Sequence, residues 1–468
     1  MKWVSLIVVL ILLELHAWNA SAAPVITEIL GRPTSDSVTV NARADADLEL
    51  YFEYGRESGR YDARTAPATT AANEPIEVVM DDLVADSRYF YRIRYRTPGS
   101  PAAFETGTEH SFYTQRSPGS TFTFAAQGDS HPERERTMFS PELYKRTLQA
   151  VAAEHPDFYV TSGDDFSVDT LNTHTVAAVT GRYTLQVPYL AQVAHSSPLF
   201  LVNGNHEQAA RYLLNGSPDN VAVWAQNARN KYFPQPATDK FYSGNTEVVP
   251  HIGLLRNYYA WEWGDALFVV IDPYWSSPVP VDGALGDNGP RTRNLWDITH
   301  GDAQYEWLKR TLEQSRARWK FVFAHHVMGT GRGGVEVATD FEWGGNNRNG
   351  TPGFIVNRPG WPMPIHQLLV ANHVTIFFQG HDHLFARQEL DGVVYQELPN
   401  PADNTYTAFN ADAYQSGNKF PNSGYVKVTV APSSVTVDYV RMFLPQDEVP
   451  PGKVSGMIQF SYTIPAAP

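Results

Sequence analysis

The sequence predicts an N-terminal all-β sandwich followed by an α/β domain. Three observations support this fold class. The 468 residues exceed the usual length of one domain, so two domains are expected. Residues 24–116 carry strand patterns only, whereas strands alternate with helical segments from residue 121 onward. Hydrophobic residues make up 43% of the chain and aromatic residues 13%, which is enough to fill a sizeable core.

The first 22 residues have the pattern of a secretory signal peptide. Lys2 supplies a positive charge, Trp3 to Leu13 form an apolar segment, and Ala20-Ser21-Ala22 form a cleavage site of small residues. A membrane anchor is the rival interpretation, but the apolar segment is too short to span a bilayer. We therefore expect a secreted or periplasmic protein, with no transmembrane segment after signal cleavage.

Residues 24–116 are predicted to form the sandwich. Apolar residues alternate with polar ones from Leu48 to Tyr54 and from Tyr89 to Tyr95, as strands with one buried face require. Turns of Gly, Pro, Asp and Ser separate these short strands. The segment resembles a fibronectin type III-like domain, and Arg116 to Ser120 have the composition of a linker.

Residues 121–468 are predicted to form the α/β domain. Helical patterns cover Pro141 to Glu154 and Asp302 to Arg318. Strand patterns cover Thr121 to Ala126, Phe158 to Thr161, Leu199 to Val202, Ala266 to Ile271, Lys320 to Phe323 and Val374 to Phe378. The last segment, Gly424 to Ile464, returns to short strands that are expected to complete a sheet.

Five short polar clusters lie in the α/β domain, each just after a predicted strand. They are Asp129-x-His131, Gly163-Asp164, Gly204-Asn205-His206-Glu207, Ala324-His325-His326 and Gly380-His381-Asp382-His383. Taken alone, Asp129-x-His131 and Gly163-Asp164 could be turn residues, and Gly204-Asn205-His206-Glu207 could be a helix cap. Gly380-His381-Asp382-His383 is the most specific cluster, because two histidines that flank one residue rarely serve packing. Their shared position at strand ends, where sheet folds of this class usually place ligands, argues against coincidence. Oxygen and imidazole ligands spread in this way can hold two divalent cations about 3.5–4 Å apart, which activate water and clamp a phosphoryl group.

The overall composition argues against several classes of function. A net charge of −14 without any Lys/Arg run argues against an extended nucleic-acid surface. The chain has no cysteine, which excludes disulfides, Cys-ligated zinc and a cysteine nucleophile. It also has no Gly-x-Ser-x-Gly motif, so a covalent serine hydrolase is disfavoured. The expected partner is a small-molecule phosphate ester, which a cationic metal centre attracts even in an acidic protein.

The five clusters and their order resemble the calcineurin-like metallophosphoesterase superfamily over roughly residues 121–464. The preceding sandwich adds a resemblance to purple acid phosphatases, which carry such a domain before the same catalytic fold. The resemblance implies a catalytic β-sandwich flanked by helices, with two divalent metal ions. It implies that Asp129, His131 and His383 hold the first metal, that Asn205, His325 and His381 hold the second, and that Asp164 bridges both.

The same resemblance implies roles for residues around the metals. His206 would act on the substrate as general acid or charge stabiliser and would not be a ligand. His325 aligns with the strand-end histidine of the family, so His326 would orient substrate, and the reverse assignment stays open. Arg332 is a candidate phosphate contact. It lies in Gly329 to Gly334, which match a dinucleotide fingerprint but lack the following helix that would hold a pyrophosphate.

One position departs from the purple acid phosphatase pattern. The iron-binding tyrosine of those enzymes would fall at Ser167, so a coloured ferric-tyrosinate centre is not expected. Zn, Mn or Fe(II) would all suit the nitrogen and oxygen ligands.

The predicted function is that of a secreted phosphomonoesterase with a metal-bound hydroxide as nucleophile. One alternative is a phosphodiesterase or nucleotide hydrolase that uses the same site. Another is a catalytically silent binding protein that metal merely stabilises. His206 argues against the silent protein, because metal binding alone does not need this side chain.

Overall fold

The computed structural model describes residues 23–207, 209–281, 294–327 and 331–466. The predicted signal peptide and the beginning of the segment Gly329 to Gly334 lie outside these residues. Within the described ranges, no helix is both long and apolar enough to cross a membrane. The predicted fold class is confirmed, because an all-β N-terminal part precedes a larger part in which strands alternate with helices.

Short strands form the N-terminal part. They are β1 (Ile26–Gly31), β2 (Val38–Ala44), β3 (Leu48–Gly55), β4 (Ala63–Arg64), β5 (Ala68–Thr70), β6 (Ile76–Met80), β7 (Arg88–Arg96), β8 (Glu105–Thr106) and β9 (His110–Tyr113). β1, β2 and β6 form one sheet, and the other strands form a second sheet around β3 and β7. Val40, Phe52 and Tyr91 lie in one buried core between the two sheets, as in a sandwich. The domain limits at 116 and 121 and the likeness to fibronectin type III stay predictions.

The following part of the chain builds two large sheets and one separate two-stranded sheet. Its strands are β10 (Phe122–Gln127), β11 (Phe158–Thr161), β12 (Leu199–Leu201), β13 (Ser243–Gly244), β14 (Val248–Val249), β15 (Gly253–Leu254), β16 (Tyr259–Trp263), β17 (Ala266–Val270), β18 (Trp319–Phe323), β19 (Ile376–Gln379), β20 (Phe385–Leu390), β21 (Val393–Glu397), β22 (Asn418–Phe420), β23 (Gly424–Ala431), β24 (Ser434–Arg441) and β25 (Ile458–Pro465). The first sheet has the order β12-β11-β10-β23-β24-β25, and the second has the order β13-β16-β17-β18-β19-β21-β20-β22. Phe124 of the first sheet packs edge-on against Phe268 and Phe321 of the second. The two sheets therefore face each other across a buried aromatic core.

Helices cover the outer faces of both sheets. They are α1 (Pro141–Ala153), α2 (Val176–Ala194), α3 (Val221–Tyr232), α4 (Asp302–Gln314), α5 (Phe341–Gly344), α6 (Phe354–Asn357) and α7 (Ile365–Ala371). Side chains alternate along each strand, so Phe124 lies in the core between the sheets while its neighbour Ala125 packs with α1, α2 and α3. In the second sheet, Val322 packs with α4 and α7 in the same way. The layers are therefore helix, sheet, sheet and helix.

Most predicted elements agree with the structure to within two residues. β10, β11, β18 and α1 have nearly the predicted limits, and β23 to β25 complete the first sheet as predicted. The helix predicted to reach Arg318 ends at Gln314, because the backbone of Ser315 is extended, with φ −72° and ψ 133°. The sequence patterns do not predict α2 and α3.

Candidate metal centre

The five polar clusters lie on loops that follow the carboxyl ends of neighbouring strands. In the first sheet, the parallel strands β10, β11 and β12 lead to Asp129, Asp164 and Asn205. In the second sheet, the parallel strands β18 and β19 lead to His325 and His381. The carboxyl ends of parallel strands lie at one edge of a sheet, so the loops of each sheet start close together. The predicted position of every cluster after a strand is confirmed.

Asp129, His131 and His383 form the first group of ligand-type side chains. His383 Nε2 lies 3.0 Å from Asp129 Oδ2, and His131 Nε2 lies 3.6 Å from the same oxygen. Asp129 Oδ1 accepts a hydrogen bond of 2.8 Å from the backbone N–H of His381. All these side chains are buried. The structure thus brings the predicted ligands of the first metal together.

His325 and His381 face each other in the second group. His325 Nε2 lies 3.2 Å from His381 Nδ1 and 3.0 Å from Asp164 Oδ2. His325 Nδ1 lies 2.9 Å from the backbone oxygen of Ser162, to which it donates. This hydrogen bond orients the ring so that Nε2 faces the centre. Metal-ligating histidines are commonly oriented by such a bond from their other ring nitrogen.

Asp164 lies between the two groups. Its Oδ2 atom is 3.0 Å from His325 Nε2 and 3.9 Å from His131 Nε2. Its Oδ1 atom accepts the backbone N–H of His206 at 2.9 Å, and the adjacent Asn205 is buried. A carboxylate in this position can reach a cation on either side, as a bridging ligand must. The ligand roles themselves remain predictions.

Several ligand-type residues have an unusual backbone conformation. Their φ angles are 48° at His131, 58° at Asp164, 78° at His381 and 60° at His383. Such left-handed conformations are uncommon in residues other than glycine, and they cluster at functional sites. The loops also approach each other closely: a Cβ atom at Gly204 would lie 2.1 Å from Asp164 Oδ1. Only glycine therefore allows this contact.

The electrostatics of the centre favour a bound cation. Burial raises the pKa of Asp129 and of Asp164, but nearby imidazoles, His325 foremost, outweigh it and hold both pKa values well below the usual range. Burial lowers the pKa of His325, yet these two carboxylates together raise it well above its ordinary value. The surroundings thus favour positive charge at His325. A divalent metal ion would supply that charge, so the donors present fit such an ion.

His131 is supported by two further side chains. Its Nδ1 atom lies 3.1 Å from Ser167 Oγ and 3.1 Å from Glu133 Oε1. Burial raises the pKa of Glu133, but its contacts, that with His131 foremost, lower it to about 2, so this carboxylate is ionised. Ser167 stands at the position where purple acid phosphatases carry a tyrosine. Here its side chain contacts a ligand-type histidine.

His206 lies at the edge of the centre. Its Nε2 atom is 3.6 Å from Asp164 Oδ2, and its Nδ1 atom is 2.6 Å from Asp169 Oδ2. Arg134 Nη2 lies 3.2 Å from Nε2. Because a guanidinium only donates, Nε2 accepts from Arg134, and Nδ1 carries the hydrogen that it donates to Asp169. Asp169 thereby fixes the tautomer and the orientation of the ring.

The two predicted substrate contacts lie beside His381. His326 stacks on His381 with ring centroids 4.6 Å apart, and its Nδ1 atom is 2.7 Å from the hydroxyl of Tyr274. Arg332 donates hydrogen bonds of 2.9 Å to the backbone oxygen of His381 and to Asp382 Oδ1. Its side chain is 43% exposed, so a bound anion can reach the guanidinium.

Glu207 ties two of the ligand loops together. Its Oε1 atom accepts the backbone N–H groups of Asp165 and Phe166 at 2.9 and 3.2 Å. Its Oε2 atom accepts the N–H of Gly204 at 2.7 Å. Residues 204–207 are not helical, so Glu207 does not act as an acid in the first turn of a helix.

We expect Glu207→Ala to destabilise the protein, because it leaves three buried N–H groups without their acceptor. The free energy of unfolding should fall by about 2–4 kcal/mol. Urea unfolding of metal-free protein measures this change without interference from metal binding. Glu207→Gln is the matched control and should lose less, since its amide oxygen still accepts. An unchanged midpoint in the alanine variant would show that Glu207 does not hold these loops.

Comparison with known proteins agrees with this architecture. A family model described as calcineurin-like phosphoesterase matches residues 122–385, which is more than half of the chain. The structure is similar to "purple acid phosphatase PPD1" from yellow lupin (Lupinus luteus) seeds, with 18% identity, a TM-score of 0.59, and coverage of 95% of this chain and 74% of that chain. It is also similar to PhoD, with 15% identity, a TM-score of 0.64, and coverage of 94% and 90%. At these identities the two structures establish a shared fold. No curated protein matches the sequence.

Proposed function

This chain belongs to the calcineurin-like phosphoesterase family, and we propose that it is a phosphomonoesterase whose centre holds two divalent cations. Family membership makes it a metal-dependent phosphoester hydrolase. The proposal of two cations is supported by one observation: ligand-type side chains converge on both sides of Asp164.

The side chains of the centre would hold the cations in two sets of three that share one bridge. Asp129, His131 and His383 would hold one cation. His325 and His381 would hold the other together with the buried Asn205, and Asp164 would bridge the two. His325 Nε2 lies 3.0 Å from Asp164 Oδ2, which supports His325 as the ligand that shares a cation with the bridging carboxylate. Zn, Mn or Fe(II) would suit these donors.

Two observations favour a monoester as the substrate. The chain shares its fold with a purple acid phosphatase. The exposed guanidinium of Arg332 lies beside His381, where it can add a charge-assisted hydrogen bond to a phosphoryl oxygen. A monoester carries two negative charges on its terminal phosphoryl group, whereas a diester carries one. Extra positive charge next to the cations therefore favours the monoester.

His206 is the residue that would deliver a proton in the reaction. When bound, the cations activate the attacking water and neutralise charge on the phosphoryl oxygens. The water gives one proton to bulk solvent and its oxygen bonds to phosphorus, while the bond from phosphorus to the ester oxygen breaks and leaves its electron pair on that oxygen. Nε2 of a protonated His206 gives its proton to the leaving oxygen, and Asp169, 2.6 Å from Nδ1, stabilises the charged ring. For this transfer, Nε2 has to exchange its contact with Arg134 for one with the leaving oxygen.

We expect the metal-loaded full chain to hydrolyse 4-nitrophenyl phosphate with a kcat/KM at least about tenfold above that for bis(4-nitrophenyl) phosphate, a difference of about 1.4 kcal/mol. Treatment with a chelator should abolish both activities, and Zn, Mn or Fe(II) should restore them. Metal content is measured on the same sample. A preference for the diester would overturn the monoesterase proposal. Bound metal without hydrolysis of either ester would indicate a silent binding protein.

A further inference from the structure

Arg134 is a cationic side chain at the edge of the metal centre, and the reaction described above gives it no contact with substrate. It ends a short 3-10 helix, Pro132–Arg134, just after the ligand-type residue His131. Its side chain is 27% exposed. A positive charge thus lies at the mouth of the centre, where solvent and a bound ligand can both reach it.

The contacts of Arg134 place its guanidinium beside His206. Its Nη2 atom lies 3.2 Å from His206 Nε2, its Nε atom 3.2 Å from Glu133 Oε1, and its Nη1 atom 3.3 Å from Met138 Sδ. Glu133 also contacts His131 at 3.1 Å, so its negative charge is shared between Arg134 and His131. Arg134 therefore keeps much of its ability to attract a further anion.

Arg134 lies beside the atom that would protonate the leaving group, His206 Nε2. A leaving oxygen that takes a proton from His206 Nε2 lies about 2.6–3.2 Å from that atom. Since Arg134 Nη2 is 3.2 Å from the same nitrogen, the leaving oxygen is at most about 6.4 Å from Nη2. An anionic group on the carbon that bears the ester oxygen then falls within reach of Arg134. Arg332 contacts His381 and Asp382 instead, and it is therefore assigned to the phosphoryl group and not to the leaving alcohol.

We propose that Arg134 binds a second negative charge on the leaving alcohol, so that the enzyme prefers phosphate monoesters whose alcohol carries a carboxylate or phosphate next to the ester oxygen. This inference rests on the proposed phosphomonoesterase function. Such an anion competes with His206 for Arg134 Nη2, and it thereby draws the guanidinium away from the nitrogen that faces the leaving oxygen.

Two substrates that differ in one group provide the test. In 2-phosphoglycerate a carboxylate replaces one hydroxymethyl group of glycerol 2-phosphate, and the ester carbon is otherwise the same. We expect the metal-loaded full chain to hydrolyse 2-phosphoglycerate with the higher kcat/KM. Arg134→Gln should lower kcat/KM for 2-phosphoglycerate about 10- to 100-fold more than for glycerol 2-phosphate, the effect of losing a charged hydrogen bond. Arg134→Lys should keep part of the preference.

Two control variants separate this role from general effects of charge and folding. Arg136→Gln removes an exposed positive charge from the same loop and should leave the ratio of the two activities unchanged. Arg332→Gln should lower both activities by similar factors. Equal losses for both substrates in Arg134→Gln would overturn the inference and assign Arg134 to the positioning of Glu133. If the unaltered chain binds metal but cleaves neither substrate nor 4-nitrophenyl phosphate, the proposed function itself fails.

Discussion

Asp164→Asn should lose at least one metal ion and most of its activity. The amide keeps the shape of the side chain but lacks the negative charge that a bridging ligand supplies to both cations. Loss of one cation removes several kcal/mol of transition-state stabilisation. We therefore expect kcat/KM for 4-nitrophenyl phosphate to fall about 1,000-fold or more. Metal per chain should fall by one ion or more in the same preparation, measured by mass spectrometry of the metals.

The neighbouring residue provides a matched control for this substitution. Asp165 is also buried, but its Oδ1 atom accepts hydrogen bonds from Ser130 and Gln127 instead of facing the ligand-type histidines. An amide oxygen can accept the same bonds, so Asp165→Asn should retain its metals and activity. Full activity of Asp164→Asn with two metals bound would contradict the bridging role.

His206→Ala should retain both metals and turn over slowly. Removal of a general acid typically lowers kcat by about 10²- to 10⁴-fold. The loss should depend on the leaving group, because an alkoxide needs a proton more than 4-nitrophenolate does. We expect a larger decrease in kcat for glycerol 2-phosphate than for 4-nitrophenyl phosphate. The measurement is steady-state kinetics on both esters, with metal content as the control for the integrity of the centre.

Two results would assign His206 another role. Equal losses on the two esters would indicate that His206 stabilises charge on the phosphoryl group and does not protonate the leaving oxygen. Loss of a metal ion would make it a ligand, which its distance of 3.6 Å from Asp164 Oδ2 permits. Asp169→Asn should show a weaker form of the same leaving-group dependence, since the amide cannot stabilise the charged ring equally well.

The strands that lead to the centre were predictable because their pattern is local. β11, for example, is a short apolar strand that ends directly before a polar turn. α2 was harder to predict, because it contains Gly181 and an internal Pro188, which both oppose helix formation. Tertiary packing outweighs these propensities: Val179, Tyr183 and Leu190 of α2 are buried against the first sheet. α3 lies in a segment whose polar and apolar residues give no clear period.

The candidate ligands could be predicted because each lies within a short motif, whereas their partners lie far away in the sequence. Asp169 meets His206 across 37 residues, and Tyr274 meets His326 across 52. No local pattern reports such a contact, because the fold alone brings these residues together. Arg134 carried one signal, namely a basic residue three positions after His131 in the first cluster. This basic residue indicates a role at the centre only once the fold shows its contact with His206.

The proposed function depends on two cations held around one shared carboxylate. Anomalous scattering from a crystal of the active, metal-loaded enzyme tests this most directly. We predict two metal peaks about 3.5–4 Å apart, both within about 2.0–2.2 Å of an Asp164 oxygen. His131 and His383 should bind one ion, and His325 and His381 the other. A single peak in active crystals, or metals bound away from Asp164, would contradict the account.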